Sequence, residues 1–423
     1  MKVLVVGGGG REHAIIKLLK KNERITELFA APGNGGISCE TECVQIKATD
    51  IQAMTEFAVQ NKIDYVVVAP DDPLALGMVD AMEEKGIRCF GPNKAAARIE
   101  SSKVFSKGLM KKYGIPTAAF ETFSDSKKAL DYIKSYSGSF PVVIKADGLA
   151  LGKGVIIAEN KDEALSAINT VMLEKKFGAS GSNIVIEEFL TGPEVTVLAF
   201  TDGKTVTPMV SSMDHKRAFD NNTGPNTGGM GVIAPNPHYT NEIAEACEKT
   251  IFLPTIYAME KEGCPFKGCL YFGLILTPCG PMVIEYNCRF GDPETQAILL
   301  LLETDLFDIM EAVTDGRLDT VDIRWKSAHS ACVVLVSGGY PAAYKTGFAI
   351  DGLDTDGKIK NGEAVVYHAG TEYKGGSFFT CGGRVLGVTA CAPSLDIALE
   401  KAYKAAGTIR FDGAHYRKDI GRY

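Results

Sequence analysis

Nowhere in the 423 residues is there an uninterrupted apolar run of the roughly 18 positions that a membrane span requires, although 45% of the residues are hydrophobic. Basic residues are not in excess either: 45 Lys and Arg stand against 52 Asp and Glu, and the formal net charge of -7 is spread along the chain rather than blocked. Such a balance does not neutralise a phosphate backbone, so neither nucleic acid nor a membrane is expected as a partner. Small anions can still be held at local sites. The N-terminus lacks the charged start, apolar stretch and cleavage site of a signal peptide, and a cytoplasmic location is expected. The 11 cysteines contain no CxxC pair, which points to scattered reduced thiols.

Three catalytic signatures are also missing. There is no Gly-x-Ser-x-Gly elbow of a serine hydrolase. His215 has no second histidine or cysteine at ligand spacing, which disfavours zinc. The opening glycine run, Gly7 to Gly10, is followed by Arg11, Glu12 and His13, so the dinucleotide fingerprint G-x-G-x-x-G fails for want of a glycine at 12 or 13. What survives is a loop in which the N–H groups of Gly8, Gly9 and Gly10, the helix N-terminus and Arg11 can hold the single phosphate of a phosphosugar. Glycines serving only a tight strand-to-helix turn are the competing reading.

What is present divides the chain. Val3–Val6, Leu28–Ala31, Tyr65–Ala69 and Ile87–Phe90 are short apolar runs alternating with helical stretches, the rhythm of a parallel α/β sheet. Asp50 can cap a helix from Ile51, and Pro73 suits the first turn of a helix carrying Leu76 and Met78. Gly91-Pro92-Asn93 ends the pattern, and one long amphipathic helix is expected from Lys94 to Tyr113. Boundaries follow near residues 100 and 325: an N-terminal α/β domain over 1–100, a central domain over 101–325 with a lid at about 118–189, and a small C-terminal α/β domain over 326–423. The polar, glycine-rich stretch 211–237 is expected as a loop, either solvated or binding.

Four segments carry chemistry. Lys145-Ala-Asp-Gly148-Leu-Ala-Leu-Gly152-Lys153-Gly154 is not a Walker loop, having three residues between the glycines and no Ser/Thr after the lysine. Held between two strands, it can instead close over ATP phosphates, glycine allowing backbone approach and lysine adding charge; a plain hairpin connection is the alternative. Glu187, Glu188, Phe189 and Leu190 end an apolar strand, and Glu194 opens the next. Backbone there can meet an adenine edge and a carboxylate can take ribose hydroxyls, or the acids are simply solvated. In Glu285-Tyr-Asn287-Cys-Arg289, strand alternation puts Glu285 and Asn287 on one face as two oxygen ligands, with Arg289 just beyond; this suits Mg²⁺ on ATP phosphates and charge building on a transferring phosphoryl group. Asp214-His215-Lys216-Arg217 and Thr223 to Gly231, including Asn226, Thr227 and Gly228, set charged and hydroxyl groups on a glycine-rich loop that can order around substrate anions.

Together these segments resemble the ATP-grasp superfamily, and within it the glycinamide ribonucleotide synthetase family. GGGGREHA from Gly7, APGNGG from Ala31, GPNKAAA from Gly91, IKADGLALGKGV from Ile144, DHKR from Asp214, TGPNTGGMG from Thr223 and EYNCRFGDPET from Glu285 carry the likeness over essentially the whole chain. The resemblance implies an ATP-grasp fold preceded by a parallel α/β domain, and ligation of glycine to 5-phosphoribosylamine through glycyl phosphate with ATP and Mg²⁺ or Mn²⁺. It implies that Lys103 and Lys145 bind phosphates, that Glu188 and Leu190 offer backbone to adenine, and that Glu194 takes the ribose. Glu285 and Asn287 become metal ligands, Arg289 the phosphoryl-stabilising arginine, Asp214 and Lys216 further catalytic groups, and the Gly8–Glu12 loop, Asn226–Gly228 and Asp292 substrate contacts. A monomer or weak homodimer is expected. Asp71, in Pro70-Asp-Asp-Pro73, replaces the family's commoner glutamate, Asn221-Asn222 replaces a more acidic pair, and residues 268–282 supply no additional carboxylate. The alternative enzyme is another ATP-grasp ligase, such as a phosphoribosyl formyl-transferring one; a non-catalytic nucleotide-binding regulator is the alternative outside enzymes.

Overall fold

The computed structural model describes residues 1–149, 154–174, 178–360 and 362–422. Gly152 and Lys153 of the glycine loop lie outside the described residues.

The first hundred residues form a parallel sheet from β1 (Lys2–Gly7), β2 (Glu27–Pro32), β3 (Glu42–Cys43), β4 (Tyr65–Val68) and β5 (Arg88–Phe90), in the order β3-β2-β1-β4-β5. Helix α1 (Gly10–Leu19) follows β1 directly, and α2 (Ile51–Gln60) starts at Asp50, whose carboxylate accepts from the Ala53 N–H at 3.1 Å. The two faces of β1 enter different cores. Leu4 and Val6 join a cluster with Val195, Val197 and Phe272, while Val3 and Val5 join one with Leu198, Phe200 and Phe307. Both clusters cross from the N-terminal sheet into the central one, so these layers are packed as a unit.

Two expected helices are broken, each at an identifiable residue. Gly77, at φ +95°, separates α3 (Asp71–Leu76) from α4 (Met78–Glu83), so Leu76 and Met78 lie on different helices. The long helix from Lys94 divides into α5 (Lys94–Ser101) and α6 (Lys103–Tyr113) because Ser102 is extended, at φ -136°. Its hydroxyl caps the second helix by accepting from the Phe105 N–H at 3.1 Å. The break sets Lys103 at the very start of α6, beside the glycine loop.

The lid is an antiparallel sheet of β6 (Phe120–Phe123), β7 (Val142–Ala146), β8 (Val155–Ala158) and β9 (Ile184–Glu188), ordered β6-β9-β7-β8. The central strands are β10 (Glu194–Asp202) and β11 (Val206–Pro208). The polar stretch 211–237 is no plain loop. It holds β12 (Met213–Asp214), β13 (Arg217–Phe219), β14 (Thr223–Asn226) and β15 (Gly231–Ala234), the last fully buried. Then β16 (Lys267–Thr277) and β17 (Gly280–Asn287) complete a central sheet ordered β11-β10-β16-β17. Strands β18 (His329–Val336), β19 (Val365–His368), β20 (Thr371–Lys374), β21 (Ser377–Thr380) and β22 (Arg384–Ala392) follow, and the C-terminal sheet runs β12-β15-β18-β22-β19. This sheet therefore draws two strands from the glycine-rich stretch. Among the described residues no helix is long and apolar enough to cross a membrane.

Candidate active site

β17 runs along the edge of the central sheet beneath the lid. Its register against β16 shifts by one residue, pairing Gly273 with Glu285 but Leu274 with Val283, which leaves Ile284 as a bulge. The Ile284 carbonyl accepts a hydrogen bond from Lys145 Nζ at 3.0 Å. Across from Glu285, Gly273 makes room: a methyl there would lie 3.1 Å from the Glu285 Cγ. Beyond the strand, Arg289 donates to the Asn287 side-chain oxygen at 3.1 Å and to the Phe290 carbonyl at 3.2 Å, and pairs with Glu100 at 3.2 Å. Glu100 is fixed in turn by the Cys288 N–H at 2.7 Å. Burial opposes the charge on Arg289, but Glu100 and Asp71 outweigh it and hold the guanidinium protonated. Asp71 therefore acts through its field.

Burial likewise opposes ionisation of Glu285, yet Lys216, Lys145, Lys103 and Arg289 together hold its carboxyl below the usual range. Glu285 is thus a carboxylate among four cations. Lys103 reaches the Gly148 carbonyl at 2.9 Å, and Asp147 accepts from Ser102 Oγ and the Val104 N–H, both at 3.1 Å, tying the root of the glycine loop to the start of α6. Glu187, 4% exposed, turns inward and sets one oxygen 3.0 Å from both Lys145 and Lys107. That oxygen is spent on lysines, while its Oε1 is buried without a hydrogen-bond partner among the described residues. Glu188 accepts from the Ala119 N–H at 2.8 Å, Phe189 is exposed, and Leu190 is half-buried at the lid's inner end.

The 213–231 segment brings its own groups. Lys216 donates to Glu194 at 3.3 Å, and Glu194 is the first cause of its raised pKa. Burial, then the neighbouring Glu294 carboxyl, pushes Asp214 well above the usual carboxylate range. Thr227 donates to the Lys216 carbonyl at 2.8 Å through its hydroxyl and again at 2.8 Å through its N–H, fixing the loop on itself, while Asn226 is exposed on β14. His215 is structural: its Nε2 accepts from the Gly421 N–H at 3.0 Å, so its Nδ1 donates to the Gly231 carbonyl at 3.2 Å.

The glycine loop after β1 is packed more tightly than the sequence implies. Glu12 is 1% exposed; it accepts from the Gly9 N–H and from Arg11 Nε, and Arg11 also donates to the Phe290 carbonyl at 3.0 Å. The guanidinium expected to hold phosphate is therefore turned inward, onto Glu12 and Phe290. A methyl on Gly8 would lie 2.4 Å from the Gly33 carbonyl oxygen, and one on Gly10 would lie 2.5 Å from Gln296 Nε2, so both glycines serve close approach. Asp292 is shared between the Arg11 N–H at 3.3 Å, Gln296 at 2.9 Å and Arg384 at 3.3 Å. Arg384 comes from the C-terminal sheet and also donates to the Gly228 and Asp292 carbonyls, each at 2.6 Å. Sequence reading missed Glu100, Lys107, Glu294 and Arg384. Glu294 stood within a quoted motif; the other three carry no local signal.

Three domain profiles of one family match in order: the phosphoribosylglycinamide synthetase N domain over residues 1–100, its ATP-grasp (A) domain over 101–295 and its C domain over 330–423. The chain belongs to the phosphoribosylglycinamide synthetase family. It is 49% identical over 420 residues to the phosphoribosylamine–glycine ligase of Caldanaerobacter subterraneus subsp. tengcongensis, covering 99% of both chains. The crystal structure of the phosphoribosylamine–glycine ligase of Thermotoga maritima aligns with a TM-score of 0.84 at 33% identity, over 99% of this chain and 100% of that one. A biotin carboxylase domain of Hydrogenobacter thermophilus 2-oxoglutarate carboxylase, 18% identical with a TM-score of 0.76 over 98% of this chain and 91% of that one, shares the ATP-grasp fold. Within the phosphoribosylglycinamide synthetase frame, Glu285, Asn287, Arg289, Lys103 and Lys145 all fall in the matched ATP-grasp region, and Arg384 reaches Gly228 and Asp292 of that region from the C domain.

Proposed function

We propose that the chain joins glycine to 5-phosphoribosylamine at the expense of ATP, giving glycinamide ribonucleotide, ADP and phosphate in purine synthesis. The observation that carries the reading is the convergence of Glu285, Asn287 and Arg289 at the end of β17 with three lysines, Lys103, Lys145 and Lys216, around the carboxylate. Arg289 Nε and Asp214 Oδ1 are buried without a hydrogen-bond partner among the described residues, as donor and acceptor left for substrate would be.

In this reading Lys103 and Lys145 bind the ATP phosphates, the Glu188–Leu190 backbone meets adenine and Glu194 the ribose. Glycine carboxylate oxygen attacks the γ-phosphorus, the bond to the β-bridging oxygen breaks, and ADP leaves. The phosphoribosylamine nitrogen then attacks the acyl carbon, losing a proton as inorganic phosphate departs. The chain supplies orientation and charge rather than a nucleophile. Arg289 and Lys216 face the charge that develops on the transferring group. The carboxylate of Glu285 and the amide oxygen of Asn287 are hard oxygen donors that fit Mg²⁺ or Mn²⁺. Such an ion, when bound, would neutralise phosphate charge. Gly8–Gly10, Asn226–Gly228 and Asp292 form the phosphoribosyl side, with Arg11 and Glu12 shaping the turn.

ADP release measured with phosphoribosylamine and glycine, formate or bicarbonate in turn tests the assignment. Turnover with glycine alone is expected; turnover with formate alone rejects it in favour of a formyl-transferring relative.

A further inference from the structure

The junction between the lid and the central sheet contains a carboxylate shared by two ammonium groups. Glu187 Oε2 lies 3.0 Å from Lys145 Nζ and 3.0 Å from Lys107 Nζ, and all three side chains are buried, at 4%, 5% and 2% residue exposure for Glu187, Lys145 and Lys107. Lys107 also donates to Thr117 Oγ1 at 2.7 Å, and that hydroxyl donates to the Val283 carbonyl at 2.7 Å. Lys145 ends on the next carbonyl, Ile284, at 3.0 Å. The two lysines thus reach adjacent peptide groups of β17, one directly and one through a threonine.

Glu188 also acts on Lys107 and Glu285 on Lys145, but Glu285 is itself shared with Lys103, Lys216 and Arg289, so the junction keeps a positive surplus where burial penalises charge, which is unexpected unless an anion completes the site. Alone with Glu187, Lys145 would form a neutral pair and be drawn toward the carboxylate. With Lys107 bound to the same oxygen, only part of the Glu187 charge falls on Lys145.

We infer that Lys107 is a positioning residue for the nucleotide site: by sharing Glu187 it keeps Lys145 electropositive and seated on Ile284, ready for a triphosphate. The inference rests on the reading of Lys145 as a phosphate ligand. Burial brings the Lys107 pKa down to about 8; Glu187 and Glu188 act to raise it and Lys145 to lower it. Lys111 shares the Phe120 ring with Lys107. An arriving polyanion favours the charged form, so nucleotide binding near that pH takes up protons.

The test is calorimetric binding of magnesium with the β,γ-imido analogue of ATP, without glycine or phosphosugar, to the wild type, Lys107→Met, and Lys107→Met with Glu187→Gln. Lys107→Met is expected to weaken binding by about tenfold or more, and the double variant to recover most of that loss, because Lys145 is then no longer neutralised. Unchanged affinity in Lys107→Met overturns the inference, and so does a double variant weaker than the single. If Lys107→Met does not fold, Glu187→Gln alone carries the test: with the shared carboxylate gone, Lys145 should hold the analogue as tightly as in the wild type or more so, and a loss of about tenfold overturns the inference. A wild type that does not bind the analogue at all removes the nucleotide reading itself.

Discussion

Arg289 donates to the side-chain oxygen of Asn287 at 3.1 Å, and the same guanidinium is anchored from behind by Glu100 at 3.2 Å. The arginine and one proposed metal ligand are therefore oriented by each other. One nitrogen, Nη2, makes both contacts while Nη1 donates to the Phe290 carbonyl at 3.2 Å; a lysine, with a single nitrogen, cannot hold all three from that position. Arg289→Lys should lower kcat by about 100-fold or more while leaving the melting temperature within a few degrees of the wild type. Steady-state kinetics beside thermal melts will show whether the loss is chemical.

Glu285 is the carboxylate around which the cations gather, so removing it both strips a proposed metal ligand and leaves four positive groups facing one another. Glu285→Ala should lose about 1,000-fold in kcat at saturating magnesium. Retention of near-normal turnover would remove Glu285 from its assigned place. Circular dichroism should remain that of the wild type, because Gly273 opposite already leaves the space that the side chain fills.

Arg384 ties the C-terminal sheet to Gly228 and Asp292. Arg384→Met should lower kcat/KM for phosphoribosylamine by about 10- to 100-fold while affinity for the ATP analogue stays unchanged. A loss shared equally between the two substrates would assign Arg384 to the fold instead.

Three buried histidines set an acid limit, and burial holds the first of them, His13, well below its ordinary value. Burial lowers both His215 and His368 to about 4 from the ordinary 6.5, and each has its ring nitrogens committed to neighbours. Below pH 6.5 the unfolded chain takes up protons that the native rings refuse, so stability is complete above that pH and falls until about pH 4. His215 and His368 each contribute up to about 3 kcal/mol to that loss. Chemical denaturation across this window should give a shallower pH dependence in His215→Gln than in the wild type.

The parallel sheet was legible because β1, β2, β4 and β5 are apolar runs bounded by polar turns, and the Glu285–Asn287 pair because strand alternation puts i and i+2 on one face. The breaks at Gly77 and Ser102 were not. Apolar periodicity continues across both, and only a positive φ in one case and a hydroxyl cap in the other ends the helix. The bulge at Ile284 is a register effect between two strands, invisible in either alone. Lys107 with Glu187 and Arg384 with Asp292 pair over 80 and 92 positions of chain, distances at which local spacing says nothing.

The acyl phosphate route is tested most directly by giving the enzyme glycine labelled with oxygen-18 in both carboxyl oxygens, together with ATP and phosphoribosylamine, and reading the released phosphate by phosphorus NMR. One labelled oxygen should pass into each phosphate molecule, because the carboxylate oxygen that attacks the γ-phosphorus leaves with it. Phosphate free of label, formed alongside glycinamide ribonucleotide, would contradict the account.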